Sequence, residues 1–153
     1  MVELEAGRAA VAGIVGGGVM VVLLYGAIAT MPSVMKMNMM ALLGGMLGLT
    51  GAAGFIAGLM IHAMMSALFG VAHIAVFVAL DAESTSIAGG AAIGLVHGII
   101  TGIMLAGMPT MHPLIRSGRM AAPGPFGWSL GPMNAVGFLM LHVIFGIVAA
   151  ATY

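Results

Sequence analysis

Histidine and methionine carry most of the chemistry available to this chain, and two of the histidines form a spaced pair. Leu59, Met60 and His62 recur as Leu139, Met140 and His142, at an offset of 80 residues. An offset of 77 lays Gly13, Gly17, Val19, Ala29, Met31 and Pro32 onto Gly90, Gly94, Val96, Ala106, Met108 and Pro109, and also Met20 onto His97. Each half therefore reads as a Gly-rich segment, a Met-Pro stop, a loop and a segment with one deep histidine. A neutral imidazole presents a nitrogen lone pair to metal ions, so a matched pair offers two donors to one centre. The competing reading is structural: histidines that hydrogen-bond across helices, each contributing about 0.6 kcal/mol.

The elements that must position these residues belong in a membrane. The chain of 153 residues is 62% hydrophobic and only 5% charged, with a mean hydropathy of +1.23. Soluble domains carry about a quarter charged residues, so this composition excludes them. The charges at Glu3, Glu5, Arg8, Lys36, Asp81, Glu83, Arg116 and Arg119 bound uncharged runs at 9–35, 37–80, 84–115 and 120–153. A spanning helix needs roughly 20 apolar residues, and four are predicted near 9–30, 54–80, 86–108 and 134–153. Pro32 and Pro109 mark the expected ends of the first and third. The run 37–80 is too long for one upright helix, so its first part is expected to lie on the surface or re-enter.

The expected fold is all-α: one integral-membrane four-helix bundle of two parallel two-helix repeats, about 6–80 and 83–153. The loops 31–53 and 109–133 then share one face, with Trp128 as an interfacial anchor. They carry Lys36, Arg116 and Arg119 against Arg8 on the other face, so the positive-inside rule assigns the long loops to the cytoplasm. Acidic residues ahead of the first apolar run argue against a secretory signal peptide. The lack of cysteine excludes disulfides, iron–sulfur clusters and thiolate sites. Zero net charge without basic clusters argues against nucleic-acid partners.

Counting ~1.5 Å per residue puts His62 and His142 about 12 Å, and Met20 and His97 about 15–17 Å, below the loop-side surface. The four form one layer, drawn from all four helices. At about 100° per residue, Gly58, His62, Ser66, Phe69 and His73 share one stripe, with Met60 and Met64 roughly opposite. Gly90, Gly94, His97, Thr101 and Met108 share another, as do Asn134, Phe138, His142, Gly146 and Ala149. Histidines on the small, polar faces are expected to point inward. The glycines, Gly13, Gly17, Gly90 and Gly94 among them, either let helix backbones approach closely or make room for a flat cofactor.

Histidines on the second and fourth helices, with glycines on the first and third, make the pattern similar to the haem-binding bundle of the cytochrome b family. The resemblance implies a b-type haem between His62 and His142, with Gly13, Gly17, Gly90 and Gly94 beside it. It departs from that family in its single histidine pair, since His73 has no counterpart in the fourth helix. The segment Leu139-Met-Leu-His142-Val-Ile-Phe-Gly146 also resembles small prokaryotic four-helix integral-membrane proteins, which implies residence in a prokaryotic cell membrane.

A second reading is Cu(I) transport or delivery, because soft thioethers suit Cu(I) and the chain has 17 methionines. Met35, Met37, Met39, Met40 and Met111 gather with His112 at the loop side. Met60 and Met64 make an MxxxM pair that looks like the one in the Ctr copper transporters. His62, His142, His97 and Met20 are the candidate metal ligands of the deep layer. A third reading is a purely structural accessory subunit, packed with other membrane subunits or with copies of itself. Intramembrane carboxylates, HExxH, P-loop and GxSxG motifs are all missing, so catalysis by the chain alone is not expected. The sequence thus favours a small subunit of a membrane redox or respiratory complex.

Overall fold

The computed structural model describes residues 1–153 and is entirely helical. Four helices are long and apolar enough to cross a membrane: α1 (Ala6–Thr30), α3 (Gly51–Ala79), α4 (Ile87–Met104, with helical turns to Met111) and α7 (Pro132–Thr152). Between them lie the short helices α2 (Met39–Gly45), α5 (Met108–Met111) and α6 (Pro113–Arg116). Only 36 of the 153 residues are buried, and side chains such as Val22, Leu68 and Ile103 face outward. That outward apolar surface identifies lipid as the solvent, since soluble proteins rarely expose large contiguous apolar patches.

Glycine sets the helix pairing. A Cβ at Gly13 would strike the Ser66 carbonyl and approach Gly70 Cα to 2.7 Å, and one at Gly90 would strike the Gly146 carbonyl and approach Ala150 Cβ to 2.7 Å. The α1–α3 and α4–α7 pairs therefore pack backbone on backbone, as small residues allow in lipid. Gly13 and Gly90 are related by the 77 offset, and Ser66/Gly70 and Gly146/Ala150 by the 80 offset. α1 also packs on α7, with Gly16 against the Phe145 ring. α3 barely touches α4, and that gap is what leaves room inside.

The termini and the α3–α4 turn lie together at one end. Val2 N–H donates to the Ala82 carbonyl at 2.8 Å. The Tyr153 hydroxyl donates to the Glu3 carbonyl and accepts from Glu5 N–H, and Arg8 stacks over its ring. The two long connections close the other end. α2 folds back on the start of α3 as a re-entrant hairpin, with Gly44 against Gly54 and Gly58 against the Met40 carbonyl.

Two element boundaries differ from those predicted. Helix α4 tightens into a 3-10 turn at Leu105–Gly107, and Pro109 opens α5 instead of ending the helix. Proline fits a first helical turn, where its missing N–H has no partner to lose. Helix α3 starts at Gly51, whose φ of +60° suits glycine at the turn from α2.

Candidate functional site

The central feature is a cavity of about 550 Å³ on the loop side of the bundle. A cluster of Ala9, Ile74, Phe77 and Ala150 closes the bundle below it. Met37, Leu42, Leu105 and Phe138 pack at the loop end. The walls are overwhelmingly apolar, and ten of the methionines contribute to them. The volume is in the range of organic-ligand pockets and far exceeds what a bare ion needs.

His62, His97, His142 and Met20 all line this cavity, so the layer predicted from depth is assembled. Met35, Met37, Met39, Met40 and Met111 line it as well. The α2 hairpin supplies part of that wall, held in place by Asn38, which accepts from Ala41 N–H at 2.9 Å and from the Tyr25 hydroxyl at 2.6 Å. No three His, Asp or Glu side chains converge on one metal position.

Hydrogen bonding orients both matched histidines alike. His142 Nδ1 donates to the Phe138 carbonyl at 2.7 Å, which makes Nε2 the acceptor of the neutral ring. Thr101 Oγ1 lies 3.2 Å from that Nε2 and 2.9 Å from the His97 carbonyl, so its one proton can serve either acceptor. On α3, the Ser66 hydroxyl donates to the His62 carbonyl at 2.7 Å, and its oxygen lies 3.4 Å from His62 Nδ1. Ser66 can thus accept from Nδ1–H, freeing His62 Nε2. An Nδ1–H held by an oxygen fixes the ring and its tautomer, as it does in ligating histidines.

The glycines named with the cofactor lie elsewhere. Gly13, Gly90 and Gly94 sit in the helix crossings, where partner backbones fill the space they leave, and Gly17 faces the Ser66 side chain. Two of them still serve the histidines: Gly17 lies against the His62 ring, its Cβ position 3.3 Å from Cε1, and Gly94 lies against the His142 backbone.

His112 is fully buried and both its ring nitrogens are occupied. Nε2 donates to the Leu42 carbonyl at 2.9 Å, and Nδ1 accepts from Ile115 N–H at 3.3 Å. It ties α2 to α6 and has no lone pair left for a metal. Met60 and Met64 are 68% and 60% exposed on the outer face of α3. They cannot join His62 around one centre in a single chain. The double change Met60→Leu/Met64→Leu is therefore expected to leave metal and cofactor uptake unchanged; elemental analysis and absorption spectra of the purified protein check this.

Three contributions lay outside the predicted ligands. His73 is 3% exposed, and its Nε2 lies 3.3 Å from His97 Nδ1. Thr101 bridges His97 and His142. Phe69, Phe138 and Phe145 pack on the histidine rings, with centroids 4.0 Å from His97, 4.3 Å from His142 and 5.1 Å from His73 respectively. His73 and Phe69 share the predicted inward stripe with His62, but no spacing rule says which rings meet across helices. No known protein family matches the chain, nor does any curated protein or solved structure.

Proposed function

We propose that this small membrane protein holds a b-type haem in the cavity between His62 and His142, whose imidazoles would hold it, and serves electron transfer within a membrane redox assembly. The observation that carries the reading is the cavity itself: about 550 Å³, apolar, and lined by two matched histidines. The Phe138 carbonyl holds the His142 Nδ1–H and Ser66 can hold that of His62, which makes each Nε2 an acceptor. Helical bundles commonly build cofactor sites from facing helices. Haem iron held by two imidazoles supplies one-electron exchange. The chain's own part is to hold the two Nε2 atoms, to exclude water with Met and Phe side chains, and to fix the imidazole tautomers. Lys36, Arg116 and Arg119 are the cations of the loop side that propionates would meet. The same reading takes the two halves as parallel repeats, supported by their matched glycine crossings.

An absorption spectrum tests it. The purified protein is expected to show a Soret band with low-spin, six-coordinate features. His62→Ala removes the one cavity imidazole of the α1–α3 pair, so the low-spin form should be lost. A colourless protein carrying stoichiometric copper sinks the haem reading. That outcome favours Cu(I) handling, for which the ten cavity methionines are the supporting observation. A colourless, metal-free protein leaves a structural subunit of a larger assembly.

A further inference from the structure

The cavity wall is uncovered in one place. Of the residues that line it, only Met104, Gly107, Thr110 and Met111 are exposed, and all four fall on the stretch that ends α4 and forms α5. Met104 lies two turns on from His97, on the same inward stripe, yet it is 69% exposed. An inward residue left uncovered marks a missing neighbour, and here that neighbour is α3. The contacts that join α3 to α4 are the Phe69 and His73 rings against His97 and the Phe77 ring against Gly89. All lie at His97 or nearer the termini. Between His97 and the loops, no hydrogen bond or ring contact ties the two helices together.

This opening suits lipid rather than water. No Lys, Arg, Asp or Glu side chain lines the cavity. Ile100 and Ile103, beside Met104 on a helix long enough to span, are 54% and 60% exposed. The two ends of the bundle, by contrast, are closed by packed apolar clusters. The rim is also loosely built. It runs through the 3-10 turn at Leu105–Gly107 into the four-residue α5, and nothing lies within 4 Å of a Cβ placed on Gly107. A 3-10 stretch within a helix often marks a hinge, and unbranched methionine adapts to whatever shape passes it.

We propose that the cavity is filled sideways from the bilayer, between α3 and α4, with Met104 and Met111 as the gate. This rests on the haem reading above and names the source of the haem, which is the lipid phase. The gate residues stand at the mouth and leave the histidines to hold what enters. A residue that acts as a barrier changes entry and exit by the same factor, whereas one that only contacts the bound ligand changes affinity.

Stopped-flow spectra of the full chain in vesicles test the route, with haemin supplied in the lipid and release measured into a haem-scavenging apoprotein. Met104→Trp is expected to slow uptake and release alike by about tenfold, an added barrier of about 1.4 kcal/mol, so that affinity stays near that of the wild type. Met104→Ala should speed both. Met60→Trp, at an equally exposed site on the outer face of α3, should change neither.

A nitroxide attached through Met104→Cys is unique, because the chain has no cysteine, and it needs no haem for its readout. Oxygen, which concentrates in lipid, should relax this label more than a water-soluble nickel chelate does; the reverse order overturns the proposal. Haemin uptake at the wild-type rate in both Met104→Trp and Met111→Trp also overturns it, and leaves haem binding by His62 and His142 standing. A wild type that takes up no haemin defeats the haem reading, and the lateral route with it.

Discussion

Gly146→Val should cost at least about 3 kcal/mol, the upper range for overpacking a close-fitted interface. It is expected to be the most damaging single substitution in the bundle. A Cβ at 146 falls on the Gly90 carbonyl oxygen and comes within 2.9 Å of both Cα and N of Gly94. All three obstacles are backbone, so no side chain can rotate away and the helices must separate. Separation strips packing along the α4–α7 contact, and in lipid that packing is the main source of association. It also displaces His142, one turn along α7, whose Cβ sits 2.8 Å from where a Cβ on Gly98 would be. Gly18→Val is the matched control, since nothing lies within 4 Å of its Cβ position. Unfolding in micelles by denaturing detergent or heat, followed by circular dichroism, should separate the two variants clearly. Equal stabilities would mean that α4 and α7 do not meet at this crossing.

The same glycines show what a sequence reveals in such a chain and what it withholds. Helix number, the inward stripes and the depth of the histidine layer follow from hydropathy and from the 3.6-residue period, which the bilayer makes strict. So Phe138, His142, Gly146 and Ala149 are buried together, and Met60 and Met64 face outward, as periodicity requires. Which helix fills the space beside a glycine depends on pairing, and no period encodes pairing. Gly13 and Gly90 therefore read equally well as cofactor walls or as crossings until α3 and α7 are seen lying on them. His112 was ambiguous for a similar reason. Its position near a methionine cluster suggests a ligand, but its lone pair goes to Ile115 N–H at the start of α6 and its proton to Leu42. The His73–His97 contact was hidden too, because it joins α3 to α4 across the gap where their backbones barely meet. Long side chains bridge that gap, and helix depth counted from the chain alone does not place their tips.

Asn134→Leu is expected to lower stability by about 3 kcal/mol and to loosen the methionine wall of the cavity. Asn134 is 1% exposed at the start of α7 and holds the connection between α1 and α2 by both ends of its amide. Oδ1 accepts from Lys36 N–H at 2.8 Å and Met37 N–H at 3.0 Å. Nδ2 donates to the Val34 carbonyl at 3.0 Å and to the Leu130 carbonyl at 2.9 Å. Leucine has the same branching with bulkier ends and fills the site, so no cavity forms; what is lost is hydrogen bonding. Two amide protons and two carbonyls lose their partner; the Met37 N–H is buried and the other three partly so, and a buried group left unpaired costs about 1–3 kcal/mol. The segment can escape part of that cost by moving out to water or headgroups, which caps the global loss near the stability of the segment itself. That escape is the informative part. It withdraws Met35 and Met37, both buried in the cavity wall and carried on the clamped stretch. Hydrogen exchange at Lys36 and Met37 should accelerate well beyond the change seen in the middle of α1. Haemin affinity should fall although no proposed ligand has been touched. Asn134→Asp keeps the acceptor for Lys36 and Met37 and loses the donor, so its exchange rates should lie between those of wild type and Asn134→Leu. If Lys36 and Met37 exchange no faster in Asn134→Leu than in the wild type, the clamp is not what holds this wall.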